Sequence, residues 1–363
     1  MDNFYRYLHL LKHTKPSVLL KHNAALNYLK LRYGLIDERL GFPGKTYPAL
    51  LTIGVTNKCN LKCSFCMCRA LYDGEPVCNL KPQTLQKILN DELLKKVLAV
   101  ILTGGEPLLN PHLPDLVEVV KKRGTPCRML SNGTLFEQNL GLIKDLKKRG
   151  LCEIQISVYD NTKYVLADTL RHIAGYLPVS ITYVIERSKL LKDQKTGFVN
   201  IIDVINMVKS AGCVAIRFNN CNDDAGGCKN FPVNSITSED APVYDELVLT
   251  CKSKLKNVSF SGYGARLGFP SGKFNVFFPS PINPNSGEKN CRVPWNINLH
   301  SDGNMTPCCK LQRETTSVET SLEYTVNADK FVKLRRSLID KNVPIDEECA
   351  KCAYNNHAYG STI

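Results

Sequence analysis

Hydrophobic positions change period along this chain, and the changes mark its elements. Between residues 49 and 220, short continuous apolar runs alternate with stretches in which apolar residues recur every three or four positions. The runs "ALLTIGVT", "LAVILTGG", "CRMLSNG", "CEIQISVY", "VSITYVIE" and "VAIRFNN" read as strands. "TLQKILNDELLKKV", "LPDLVEVVKKRG", "LFEQNLGLIKDLKKRG" and "NIIDVINMVKSAG" carry the helical period, and a glycine closes each of the last three. Continuous apolar strands alternating with amphipathic helices predict about six parallel βα units, in an α/β barrel or open sheet. In either form, chemistry gathers at the C-terminal strand ends. "TNKCNLKC", "TGGEP", "SNGT", "SVYD" and "FNNC" all fall at such ends, so they should share one mouth.

The flanks read differently. Residues 1–46 are expected to form a basic helical extension, with Pro16 opening a helix and Gly34 closing it. Leu19, Leu20, Leu26, Leu29 and Leu31 give that helix an apolar side, which packs on the main domain or docks peripherally on a membrane or another anionic surface. The main domain is expected over 47–235. Residues 236–290 read as one helix near 239–256 with connecting loops rich in Gly, Pro, Asn and Ser. A small cysteine-rich domain is expected over 291–363, with "SDG" as a hairpin-turn signal near its start.

Composition narrows the setting. The 363 residues, 43% of them hydrophobic, are enough for a full core. No run of 18 apolar residues appears and the N-terminus has no signal-peptide core, so a cytoplasmic location is expected. Sixteen cysteines in a reducing compartment point to metal rather than disulfides. The formal net charge of +13 suits an anionic partner, while no basic block interleaved with aromatics appears, so nucleic acid is not expected.

The thiols cluster. Cys59, Cys63 and Cys66 are spaced C-x3-C-x2-C, with Cys68 two residues on. Three thiolates suit three irons of a 4Fe–4S cube and leave the fourth iron open. Zinc with Cys68 as fourth ligand fits the spacing as well. The companion is "TGGEP" after the next strand, where Gly104 and Gly105 let backbone approach a ligand and Glu106 adds a carboxylate. C-x3-C-x2-C after the first strand, Phe65 before the last cysteine, and G-G-E-P after the second strand together resemble the radical S-adenosylmethionine (SAM) enzymes. The resemblance covers about residues 49–220 and implies a partial (β/α)6 TIM barrel. It implies Cys59, Cys63 and Cys66 as cluster ligands, with SAM chelating the open iron. It further implies Gly104, Gly105 and Glu106 as SAM contacts, Phe65 beside the adenine, and Asn132 and Ser157 near the ribose or carboxylate.

The second group runs C-x11-G-x4-C from Cys291 through Gly303 to Cys308, and ends in C-x2-C at Cys349 and Cys352. Two such pairs suit zinc or an iron–sulfur cluster. "PWNINLHSDGNMTPCC" followed by "CAKC" resembles the SPASM or Twitch extension of radical SAM enzymes. That resemblance implies one auxiliary 4Fe–4S cluster on Cys291, Cys308, Cys349 and Cys352, with Cys309 as an alternative to Cys308. Cys68, Cys221, Cys228 and Cys309 are candidates for hydrogen-atom donors, set against the reading of inert thiols. Asp160 and Arg217 point toward the same mouth, where an arginine suits a carboxylate or phosphate.

The resemblance therefore implies an enzyme that cleaves SAM to a 5′-deoxyadenosyl radical and abstracts a substrate hydrogen atom, fed by a reductant such as flavodoxin or ferredoxin. The auxiliary cluster would handle electrons. The expected substrate is an anionic small polar metabolite of the sugar or nucleoside type; a ribosomally made peptide is the alternative. From another class, the rival is a non-catalytic iron–sulfur or zinc-organised binding protein.

Overall fold

The computed structural model describes residues 50–63, 66, 74–90, 97, 99–158, 167–221, 235–262, 274–279, 281, 296–306, 316–317, 334 and 349. The extension over 1–46, with the membrane contact expected of it, lies outside them.

Six strands follow the predicted order: β1 (Leu50–Thr56), β2 (Ala99–Gly104), β3 (Cys127–Ser131), β4 (Leu151–Val158), β5 (Val179–Ile185) and β6 (Ala215–Asn220). Each pairs in parallel with the next. The intervening helices are α1 (Pro82–Leu89), α2 (Leu113–Lys122), α3 (Leu140–Arg149), α4 (Ala167–Ala174), α5 (Arg187–Gln194) and α6 (Val199–Ser210). Their apolar stripes face the sheet. In α2 these are Leu113, Leu116, Val117 and Val120, and in α6 Ile201, Ile202, Val204, Ile205 and Val208. Fully burying such a side chain contributes about 1.5–3 kcal/mol. Two of these helices, α4 and α5, were not expected; both are short, and α5 has an almost featureless polar pattern. Its role is in the packing: Asp193 near its end accepts hydrogen bonds from the Asn200 and Ile201 N–H groups (3.1 and 3.0 Å) and so caps α6.

The sheet continues beyond the six units. After α7 (Ala241–Lys254) come β7 (Ser259–Gly262), β8 (Asn275–Phe278), β9 (Asn296–Leu299), β10 (Asn304–Thr306) and β11 (Thr316–Ser317). The order is β11-β10-β9-β1-β2-β3-β4-β5-β6-β8-β7, eleven strands among the described residues, and the sheet is not closed. Residues 236–290 thus hold more than the helix and loops expected of them. β7 and β8 are four residues each, too short to show a period, and an aromatic stack seats them. The Phe218 and Phe278 rings stack at 4.9 Å, Phe260 stacks on the other side of Phe278 at 6.4 Å, and Tyr244 meets Phe278 edge-on. The 291–363 segment likewise begins inside the main sheet, because β9 pairs in parallel with β1. The hairpin expected at "SDG" joins β9 to β10. The His300 N–H donates to the Asn304 carbonyl at 2.8 Å, and Gly303 takes the positive φ of 86° that the turn requires.

The two faces of the sheet differ. Leu51, Ile53, Val100, Leu102, Met129, Ile154, Ile156, Ile181, Phe218 and Leu299 share one core cluster with the helices. The alternate positions form the inner face of the partial barrel. Leu50, Ala99 and Ile101 close its floor with a small apolar cluster. Above them the face turns polar. Arg128 Nε lies 3.1 Å from Glu153 Oε2, and the Ser180 hydroxyl donates to Glu153 Oε1 at 3.2 Å.

Candidate active site at the strand ends

β1 delivers the chain to the mouth at Thr56, and Asn57 then closes the neck of the loop that carries the cysteines. Its side-chain amide donates to the Pro76 carbonyl, its side-chain oxygen accepts from the Cys78 N–H (both 2.8 Å), and its own N–H donates to the Cys78 carbonyl at 3.2 Å. Beyond the neck, the Cys66 N–H donates to the Cys63 carbonyl at 3.3 Å, which puts the second and third thiols on one turn. The Leu61 N–H points at Cys59 Sγ (3.4 Å). Cys59 is exposed, while Cys63 and Cys66 are half-buried.

The loop is also held from the side. Asn132, just past β3, donates from Nδ2 to Asn60 Oδ1 at 2.9 Å and lies 4.0 Å from Cys59 Sγ. Its side-chain oxygen accepts from the Thr134 N–H and hydroxyl (2.9 and 2.6 Å), and Asn60 Nδ2 donates to Thr134 Oγ1 at 2.8 Å. The "SNGT" stretch therefore anchors the residue next to the first cysteine.

The glycines have a structural reason that spacing did not reveal. Gly104 has φ +130°, and a Cβ there would lie 2.3 Å from the Thr56 carbonyl oxygen. On Gly105 it would lie 2.1 Å from the Lys58 carbonyl oxygen. The Gly105 and Glu106 N–H groups donate to the Thr56 and Lys58 carbonyls at 2.7 and 2.8 Å. Close approach is therefore made first to the cysteine-loop backbone, which it locks against β2. Glu106 is fully buried. Its Oε1 accepts from the Ser131 hydroxyl (2.8 Å) and the Leu108 N–H (3.3 Å), and its Oε2 from the Asn132 N–H (2.9 Å). Burial raises its carboxyl above the ordinary range, and the three donors pull it back down. The carboxylate thus joins the ends of β2 and β3.

Ser157 stands on the inner face of β4, half-buried, in register with Thr182 of β5, which is in register with Arg217 of β6. Arg217 lies over the Phe277 ring, 4.6 Å from its centroid. Cys221, just past β6, is buried. His300, at the end of β9, follows the polar alternation of Asn298, and its Nε2 is 3.0 Å from Thr306 Oγ1. Burial lowers its basicity, which Asp302 partly restores. No local pattern marks Asn57, Asn60, Thr134 or His300 as site residues; only "NKCNLKC", with one amide two residues before Cys59 and another just after it, hints at the first two. Phe65, Cys68, Asp160, Cys228, Cys291, Cys308, Cys309 and Cys352 lie outside the described residues. Cys349 is described and is buried.

The donor set fits an iron–sulfur cube. Although the Cys59 residue is exposed, partial desolvation of its thiol pushes it up, and the negative charges of Glu106 and Cys66 push the same way, against the opposing Leu61 N–H and Asn132 amide. A thiolate in that position needs a cation against it. Three thiolates on this loop leave one iron of such a cube open to another ligand.

Known proteins resemble this chain over much of its length. Residues 53–213 match the family model described as the Radical SAM superfamily. The chain is 25% identical over 304 residues to a GTP 3′,8-cyclase of Clostridium acetobutylicum, covering 80% of this chain and 88% of that protein. A probable GTP 3′,8-cyclase of Pyrococcus abyssi is 28% identical over 132 residues, 36% of this chain and 40% of that protein. The crystal structure of Streptococcus suis SuiB bound to precursor peptide SuiA matches with a TM-score of 0.60 at 14% identity, over 91% of this chain and 73% of that one.

Proposed function

Residues 53–213 belong to the radical SAM superfamily, and from that premise we propose that this enzyme uses a 4Fe–4S cluster on Cys59, Cys63 and Cys66 to cleave SAM and abstract a hydrogen atom from a small polar metabolite of the sugar or nucleoside type. The cluster, when bound, supplies the electron that splits SAM into methionine and a 5′-deoxyadenosyl radical. Everything else falls to the chain. The Asn57 neck and the Asn132–Asn60 contact hold the cysteine loop at the strand ends. The backbone at Gly104 and Gly105, which the Gly105 and Glu106 N–H groups tie to the Thr56 and Lys58 carbonyls, passes beside that loop, and its carbonyls are offered to the methionine end of SAM. Glu106 acts behind it, fixing the position of Asn132. In this reading Ser157, one strand further round on β4, contacts the ribose.

Holding reactants in place supplies much of a rate enhancement, and excluding water protects a radical. The auxiliary 4Fe–4S cluster on Cys291, Cys308, Cys349 and Cys352 belongs to this proposal, as the electron acceptor for a substrate radical. The buried Cys349 and the approach of β9 to β1 support a C-terminal segment that reaches the mouth. The names of the curated relatives support a nucleoside-type substrate.

The observation that carries the reading is the convergence of Cys59, Glu106 and Asn132 at the ends of three successive strands. The test is anaerobic reconstitution with iron and sulfide, followed by SAM and dithionite. The expected product is 5′-deoxyadenosine, lost when Cys63→Ser is introduced. A protein that carries its full iron complement and yields none would overturn the reading.

A further inference from the structure

Beyond Ser157, the inner face of the sheet is the part of the molecule that the reading above leaves unused. A sheet interior filled only for stability is built from branched aliphatic side chains. Here the row that leads away from the cysteine loop is Ser157, Thr182, Arg217 and Phe277, on four neighbouring strands in register. One step below, Gln155 donates from its amide to the Thr182 hydroxyl, and Ser180 is engaged by the floor ion pair. Gln155, Ser157, Ser180 and Arg217 are half-buried although they lie on central strands, so among the described residues no helix covers this face. A face lined by polar side chains favours a polar occupant over an apolar one.

The row also has a direction. Its near end lies by Asn132 and Cys59, with the Glu106 carboxylate buried behind Asn132. Ser and Thr hydroxyls and a Gln amide both donate and accept, which matches hydroxyl groups better than it matches ions. Its far end is a guanidinium. The Phe277 ring covers one face of Arg217 at 4.6 Å, an arrangement that fixes the plane of the group. A fixed planar fork suits the paired oxygens of a carboxylate or phosphate.

We propose that this row is the substrate cradle, and that the substrate is a hydroxylated small-molecule anion whose carboxylate or phosphate is held by Arg217 over Phe277 while its hydroxyls meet Thr182 and Gln155 nearer the cysteine loop. The inference rests on the radical SAM reading and adds the substrate class to it. It selects a sugar phosphate, nucleotide or sugar acid over a neutral peptide segment.

The test uses the reconstituted, SAM-loaded full chain under anaerobic conditions, with three probes: glucose 6-phosphate, GTP and a capped neutral tripeptide. Binding is read from the melting temperature and from the change in the rate of 5′-deoxyadenosine formation. At least one of the two hydroxylated anions is expected to bind. Arg217→Gln should weaken that binding about tenfold or more, the loss expected for a hydrogen bond to a charged group. Thr182→Val, of nearly the same shape, should weaken it severalfold, and both variants should keep the wild-type circular-dichroism spectrum. Binding of neither anion, binding of the tripeptide alone, or unchanged affinity in both variants would overturn the proposal. Absence of 5′-deoxyadenosine from the wild type without any probe would instead strike the radical SAM reading beneath it. Phosphate-bearing and carboxylate-bearing occupants are then separated by repeating the titration with glucuronate.

Discussion

At the scale of single residues, the site depends on atoms that are missing as much as on those present. Gly105 has no room for a side chain, since a Cβ there would sit 2.1 Å from the Lys58 carbonyl oxygen and 2.5 Å from its carbon. Those contacts are backbone and cannot swing aside. Gly105→Ala is expected to destabilise the fold by about 1–3 kcal/mol, the range for overpacking, in denaturant unfolding. Gly141, with nothing within 4 Å of an added Cβ, is the matched control. Glu106 makes a pH argument. Burial raises its carboxyl above the ordinary 4.5, so the folded chain keeps that proton to higher pH than the unfolded chain does. Between those two values the folded state binds more protons, and stability falls as pH rises through the window. Glu106→Gln removes that titration. Wild type should therefore lose stability relative to the variant as pH is raised from about 4 to 7. Parallel unfolding curves across that range would show that burial does not dominate at this carboxyl.

At the scale of elements, the cysteine loop is best described by its ties. Asn57 uses both ends of its amide at the neck, so neither Ala nor Asp reproduces it. Asp keeps the acceptor for the Cys78 N–H and loses the donor to the Pro76 carbonyl. Loss of a net hydrogen bond costs about 0.5–1.5 kcal/mol, and here the cost falls on the loop rather than on the core. Asn57→Ala is expected to leave the melting temperature of the metal-free chain within a few degrees of wild type. It should speed iron loss to a chelator, with Asn57→Asp in between. Iron release followed by absorbance gives the measurement, and equal release rates in all three proteins would refute the role. The opening of β1 also shows where element boundaries were legible. Its apolar run, like those of β2 to β6, lies in a continuous buried core, and six parallel strands can be read from that alone. β7, β8 and the short polar α5 show no comparable run. The strands are seated by the Phe218–Phe278–Phe260 stack, between residues distant along the chain, and α5 by the Asp193 cap on the helix that follows it.

At the scale of the whole molecule, the C-terminal segment is no separate appendage at its start. β9 pairs in parallel with β1, and Cys78 Sγ donates to the Ser301 carbonyl at 3.1 Å, so the hairpin and the foot of the cysteine loop touch. The start of the C-terminal segment is thereby tied to the strand ends. If Cys349 ligates an auxiliary 4Fe–4S cluster, Cys349→Ser lowers the iron content of the reconstituted protein by about half. The Cys59, Cys63 and Cys66 site should keep its SAM cleavage. Unchanged iron content in that variant would remove the auxiliary cluster from the proposal. Among the described residues no helix is long and apolar enough to cross a membrane, in line with the lack of a long apolar run.

The sequence by itself determined the six parallel βα units, the mouth at their C-terminal ends and the three thiols placed there. Apolar periodicity and cysteine spacing are local along the chain, and local patterns survive being read one residue at a time. Only the tertiary structure decided why Gly104 and Gly105 must be glycine, what the Glu106 carboxylate holds, and that Ser157, Thr182, Arg217 and Phe277 stand in one row. Those facts depend on strand register and on backbone contacts between distant segments, and neither is written in any one stretch of the chain.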